Sequence, residues 1–283
     1  MSTIFKLGTI VGGTWKIGKL IGTGCYGSVF DVKNGENNQV GVIKVNKKPS
    51  ITEFEVKLLR MVSGRVGHQK MLQSGEHRGI PYVIMQKEGK SLASLTEHHD
   101  GNLPTNKLLL ILHCLIQGLE VLHGLHILHR DISPENILLS NREDSPVVLI
   151  DMGMSGLIRA DGTVEECTTT HNADYPYGSP ALRQDEKFEY KDDVFSIILV
   201  LLESTSCSPF IDGSINYRTL VKIADNDASV PMPCTTIRNL LYTLKVNNRT
   251  PPGTIPKPLN YVNLLAIIQN SRSFDCNIDL DFD

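Results

Sequence analysis

The chain has 283 residues, 41% hydrophobic and 21% charged, with a net charge of -3. These values suit one large globular domain or two small ones and exclude the strongly basic field of a general nucleic-acid binder. The opening residues carry no charged-then-apolar leader, and the longest apolar run, Ile197 to Leu202, is too short to span a bilayer. Six cysteines are scattered without a CxxC pair, so reduced thiols are expected, and with them an intracellular setting, cytoplasmic or nuclear.

In chain order, residues 15–45 read as three short strands, WKIGKLIG, SVFDVKN and QVGVIKV, the last two joined by a turn at Asn34 to Asn38. Residues 52–62 have helical spacing with Thr52 as the expected cap, and residues 81–86 read as a further strand. From Pro104 a long amphipathic helix is predicted, and another from about Asp192 to Glu203. A small strand-rich part therefore precedes a larger helical part. The acidic tail from Asp275 is expected to fray.

Ile21-Gly22-Thr23-Gly24-Cys25-Tyr26-Gly27-Ser28-Val29 is a GxGxxGxV stretch. Glycines let a backbone approach phosphate oxygens with no Cβ in the way. A strand-like stretch follows the glycines, which excludes a dinucleotide fingerprint opening a helix. An ordinary Gly-rich hairpin remains the alternative. Lys44 closes the strand Gly41-Val42-Ile43-Lys44 and could hold α- and β-phosphates, oriented by an acid on the next helix. Glu55 is preferred over Glu53 because its register puts Leu59 one turn on, facing the core.

His129-Arg130-Asp131-Ile132-Ser133-Pro134-Glu135-Asn136 is an HRDxxxxN loop. It places Asp131 to accept a hydroxyl proton and Asn136 to hold Mg²⁺. Val147 to Ile150 reads as a buried strand ending in Asp151, a hard oxygen donor for the same ion. Each of these acids alone is an ordinary loop or turn carboxylate; the two segments in this order are specific. His123, His126 and His129 are evenly spaced, but no suitable fourth ligand makes them a metal site.

With these motifs the chain resembles eukaryotic-type protein kinases over nearly its whole length. Within them it is most similar to the casein kinase one group, which includes the vaccinia-related kinases. The narrower likeness rests on Met85-Gln86-Lys87-Glu88-Gly89-Lys90-Ser91-Leu92, on Lys191-Asp192-Asp193-Val194-Phe195-Ser196 and on Lys257-Pro258-Leu259-Asn260-Tyr261. The resemblance implies an α+β bilobal fold: an N-lobe at 1–88, a small antiparallel sheet with one helix, and a mostly helical C-lobe at 89–283. It implies ATP and Mg²⁺ as cofactors and protein substrates with Ser or Thr acceptors, in a monomer without nucleic-acid or membrane partners. Ile21, Gly22, Gly24, Gly27, Val29, Val42, Lys44 and Glu55 would form the nucleotide site. Met85 would be its gatekeeper, and backbone groups from Gln86 to Glu88 would bind adenine. Asp193 would anchor the catalytic loop, and Arg130 could bind a phosphate on the activation segment, where Thr168, Thr169 and Thr170 cluster. A plain solvated loop is the alternative for those threonines.

Four departures bear on activity. Ser133 stands where Ser/Thr kinases carry a lysine that touches the transferred phosphate, so one cation is lost from the transition state. Met152 replaces the usual Phe after the metal-binding Asp and can fill its pocket. Val42 narrows the adenine site. Tyr190-Lys191 replaces a basic pair that binds phosphorylated substrates in the casein kinase one group, so a preference for primed substrates is doubtful. Two rivals stand beside the kinase reading: a pseudokinase scaffold, for which Ser133 speaks, and a small-molecule kinase. Ser133 also leaves Tyr specificity open.

Overall fold

The computed structural model describes residues 4–24, 27–166, 175–180, 182, 186–251, 254–278 and 280. Six strands form one antiparallel sheet: β1 (Ile10–Val11), β2 (Trp15–Thr23), β3 (Gly27–Asn34), β4 (Val40–Asn46), β5 (Met71–His77) and β6 (Ile80–Gln86), in the order β1-β2-β3-β4-β6-β5. Alternation along β4 sorts its side chains. Ile43 and Val45 pack in a core with Trp15, Tyr82 and Ile84, while Val42, Lys44 and Asn46 take the opposite face. That face is covered by α1 (Pro49–Val62), whose Phe54, Leu58, Leu59 and Val62 join the main core.

Helix α1 starts three residues earlier than its apolar spacing predicts. Pro49 occupies the first turn, where its missing N–H costs nothing, and Lys48 is the extended residue before it. Thr52 is not the cap; it is buried, and its hydroxyl accepts from the Asn46 backbone and side chain at 3.3 and 3.2 Å.

The second part holds α2 (Leu92–His98), α3 (Thr105–Gly124), β7 (Ile127–Leu128), β8 (Ile137–Arg142), β9 (Ser145–Leu149), β10 (Gly156–Ile158), β11 (Val164–Glu166), α4 (Tyr190–Glu203), α5 (Tyr217–Ala224), α6 (Thr235–Leu244) and α7 (Tyr261–Gln269). α3 is long and apolar enough to cross a membrane by length and composition, yet nearly all its apolar side chains are buried against α4, α7 and β9. The main core runs without a break from Val42 and Phe54 through α3 and α4 to Leu280. Leu280 is 1% exposed, so at this position the tail is packed and not frayed.

The loop between α1 and β5 fastens the two parts together. Gly67 (φ +76°) lies so close to Gly118 of α3 that a Cβ would meet its Cα at 2.3 Å. His68 Nε2 lies 2.9 Å from the Gly118 carbonyl, and Gly67 N–H donates to Ser145 Oγ at 2.7 Å. Burial holds the His68 imidazole neutral, with its pKa lowered from 6.5 to about 4. Below pH 6.5 the unfolded chain takes up a proton that the folded chain refuses until about pH 4. This contribution is therefore complete above pH 6.5 and lost as pH falls towards 4, reaching about 3 kcal/mol. Urea unfolding followed from neutral to acid pH should show that loss, and His68→Gln should flatten it.

Candidate active site

Lys44 is the centre of the site. Its Nζ lies 2.8 Å from Glu55 Oε1 and 2.6 Å from Asp151 Oδ1, and its side chain is 8% exposed. Burial opposes its charge, but the carboxylates of Asp151 and Glu55 outweigh it and raise the Lys44 pKa above the ordinary lysine value. The same ammonium holds Asp151 below the usual carboxylate range against the cost of burial. Glu53 is exposed, so the choice of Glu55 from helical register holds. Asn46, two residues on from Lys44 and on the same strand face, donates from Nδ2 to Glu55 Oε2 at 3.0 Å. Sequence alone does not single it out, because a buried strand-end Asn belongs to no motif. Asn46→Ala would strip one carboxylate oxygen of its donor in a dry site, at an expected cost of about 1–3 kcal/mol measurable as a lower Tm.

Asp131 comes from the loop after β7. Asp193, inside α4, accepts from His129 N–H at 2.8 Å and from Arg130 N–H at 2.9 Å, so it ties down the backbone of that loop. Arg130 and Asp151 both hold left-handed backbone, φ +69° and +66°. Such conformations cost energy in non-glycine residues and persist where surrounding bonds over-determine them. Asn136, on a short 3-10 turn at Pro134–Asn136, donates from Nδ2 to Asp131 Oδ2 at 3.0 Å and to its carbonyl at 2.9 Å. Burial, then the charge of Asp151, raises the Asp131 pKa. His123, His126 and His129 are spent separately, on Asp193, Tyr190 and the Ile150 carbonyl, and the described His, Cys, Asp and Glu residues include no group of three or more placed to hold a metal ion.

A cavity of about 310 Å³ opens beside this cluster, lined by Ile21, Gly22, Val29, Val42, Lys44, Glu55, Met85, Glu88 and Asp151 among others. Val42 stands opposite Met85 in the β4–β6 register. Lys87, within the Gln86–Glu88 stretch expected here, lines it too; Gln69, Gly89, Leu138 and Ile150 also line it and were not foreseen. Gln86 does not line it: its N–H donates to Lys70 O at 2.8 Å, and its carbonyl accepts from Gln69 Nε2 at 2.7 Å. One lone pair of that carbonyl is thereby used, which weakens Gln86 as an adenine contact.

The three loop glycines differ. A Cβ on Gly22 or Gly24 would meet nothing within 4 Å, so the protein itself does not demand glycine there. On Gly27 it would meet the Val45 carbonyl at 2.2 Å, so this glycine serves the β3–β4 approach. Cys25 and Tyr26 lie outside the described residues, as do Thr168, Thr169 and Thr170.

The donor set suits a nucleotide with a hard cation. Lys44 and the Gly153 N–H both contact Asp151 Oδ1 and none of the described hydrogen bonds uses Oδ2; likewise only Asn136 Nδ2 is engaged and not Oδ1. Two oxygens from facing segments match Mg²⁺, which takes few protein ligands and completes its shell with phosphates and water. Met152 is 1% exposed and packs in the main core. Arg130 Nη1 already contacts Glu166 Oε2, a carboxylate partner where a phosphate was expected. Lys191 is buried against Glu189 at 3.1 Å and the Asn248 carbonyl, which removes it as a receptor for a substrate phosphate.

A Lys on the sheet paired with a Glu on α1, facing a helix-anchored HRD loop beside a nucleotide-sized cavity, defines a kinase-type domain in two lobes, α+β in class. Residues 15–246 match the protein kinase domain family, and the chain belongs to it. It is 29% identical over 79% of its length to a probable serine/threonine-protein kinase of Dictyostelium discoideum, covering 45% of that protein. It is 29% identical over 76% of its length to mitogen-activated protein kinase kinase 1 of Arabidopsis thaliana, covering 62% of it. With serine/threonine-protein kinase ATG1a of the same plant the identity is 27% over 78% of this chain and 36% of the relative. The chain thus spans between about a third and under two thirds of the length of these relatives.

Proposed function

We propose that this chain is an ATP-dependent protein kinase that phosphorylates Ser or Thr hydroxyls of protein substrates. The single observation that carries the reading is the Glu55–Lys44–Asp151 cluster at 2.8 and 2.6 Å beside the Asp131–Asn136 loop. Bound Mg²⁺-ATP would supply the phosphoryl group and offset its charge. Lys44 would hold the phosphates, fixed in place by Glu55 and Asn46. Asp131 would orient the incoming hydroxyl and take its proton, its raised pKa making it a better base than an exposed aspartate. Asn136 Oδ1 and Asp151 Oδ2 would be the protein oxygens on the metal. Positioning and charge neutralisation then supply most of the rate. The Ser/Thr choice is supported by the names of the relatives.

The narrower likeness to the casein kinase one group is part of this reading and rests on the hinge, α4 and closing segments. The lobe boundary at 88/89 is supported by the fall of the elements, with the sheet ending at Gln86 and α2 beginning at Leu92. An intracellular setting is supported by free thiols at Cys114, Cys207, Cys234 and Cys276. A pseudokinase is the second reading, favoured by Ser133, which brings no cation to the loop. Nucleotide binding tests the site directly. Mg²⁺-ATP should raise the Tm of the chain, and EDTA or Asp151→Ala should abolish most of the shift. No shift with the native chain would remove the nucleotide site and the kinase reading, leaving only a scaffold that binds a partner.

A further inference from the structure

Strand β11 ends in two consecutive glutamates whose side chains go opposite ways, as neighbours on a strand must. Glu165 reaches α1, where Lys57 Nζ lies 2.7 and 2.8 Å from its two oxygens; Arg159 approaches the same carboxylate at 3.6 Å. Glu166 reaches the catalytic loop and contacts Arg130, whose side chain is 3% exposed. The path to Arg130 is open because Gly156 lies beneath it: a Cβ there would meet Arg130 Nη1 at 3.1 Å and Val164 at 2.6 Å. Gly156 pairs with Glu166 on one side and with Leu128 on the other, so the sheet β11-β10-β7 carries the contact to the residue before His129.

Lys57 is two residues from Glu55, and Arg130 is next to Asp131. The two glutamates therefore tie together the helix that orients Lys44 and the loop that carries the base. Two carboxylates bring about the charge that a phosphate ester would bring to the same cations. We propose that Glu165 and Glu166 are positioning residues that hold residues 156–166 against α1 and the catalytic loop in a working arrangement without phosphorylation. This rests on the kinase reading above and adds to it how the site is regulated. Glu166 carries more of the effect than Glu165, because its partner Arg130 is buried at 3% exposure while Lys57 is 47% exposed and screened by solvent.

The test uses the full chain with Thr168, Thr169 and Thr170 all changed to Ala and treated with a protein phosphatase, assayed with Mg²⁺-ATP and a generic protein acceptor. Its kcat should stay within a factor of about two of the untreated native chain. Glu166→Ala should lower kcat by about tenfold, equivalent to about 1.4 kcal/mol of transition-state positioning, with KM for ATP little changed and Glu166→Asp restoring part of it. Lys57→Glu and Glu165→Lys should each lower kcat, and their combination should recover it. A tenfold loss of kcat on dephosphorylation, or full kcat in Glu166→Ala, would overturn the proposal. Should the native chain transfer no phosphate, the kinase reading fails by itself, and hydrogen exchange then judges the tie. Loss of amide protection over residues 156–166 in Glu166→Ala, with α3 still protected, supports it; unchanged protection overturns it.

Discussion

Asp131→Asn is expected to lower kcat by about 10²–10⁴-fold, the usual contribution of a positioned general base, while leaving KM for ATP nearly unchanged. The asymmetry follows from the geometry. Asp131 does not line the nucleotide cavity, and its hydrogen bonds are with the side chains of Asn136 and His129. The replacement amide keeps a carbonyl oxygen that can accept from Asn136 Nδ2, so the loop should stay folded and Tm should move by under about 1 kcal/mol equivalent. What is lost is the basic oxygen alone. Steady-state kinetics with varied ATP and varied acceptor separate the two parameters. A parallel rise in KM for ATP would mean that Asp131 shapes the nucleotide site and is not the base.

Lys44→Met should be the other large effect, roughly 10²–10³ in kcat/KM, because it deletes the cation placed between Glu55 and Asp151. Methionine keeps the length and fills the hydrocarbon path without the charge. Stability should suffer less than removal of a buried cation ordinarily implies, for a definite reason. Burial holds the Glu55 carboxyl above the ordinary glutamate value against the opposing pull of the Lys44 charge, so it can take a proton when that partner goes. Glu55→Gln in the Lys44→Met background should then cost little more activity, since Glu55 acts through Lys44. Additive losses in the double variant would show that Glu55 has a separate role.

The chemistry-bearing residues were legible because each sits in a short, ordered string: the glycine loop, the strand-end Lys44, the HRDxxxxN loop and the acid after Ile150. Helical register was enough to select Glu55 over Glu53. Other features needed the fold. Strand β5, MLQSGEH, is half-buried and mostly polar, so it carries no clean alternation to read. The start of α1 was misplaced because Thr52 looks like a cap, while Pro49 sets the helix and Thr52 is drawn inward to Asn46. Gln69, in the loop before β5, reaches the Gln86 carbonyl at the end of β6, and Gly67 meets Gly118 across the two lobes. No spacing rule encodes such long-range encounters. The same holds for Glu166, which is an unremarked acid in a loop until β11 folds back over Gly156 to meet Arg130.

The most direct measurement is phosphoryl transfer by the purified chain and by its Asp151→Ala variant, each incubated with Mg²⁺ and γ-labelled ATP, with casein and a basic protein as acceptors. Label on an acceptor or on the chain itself, present with the native protein, absent with the variant and found on phosphoserine or phosphothreonine after hydrolysis, is the predicted result. Equal background from the two proteins would contradict the account and leave a kinase fold that performs no transfer.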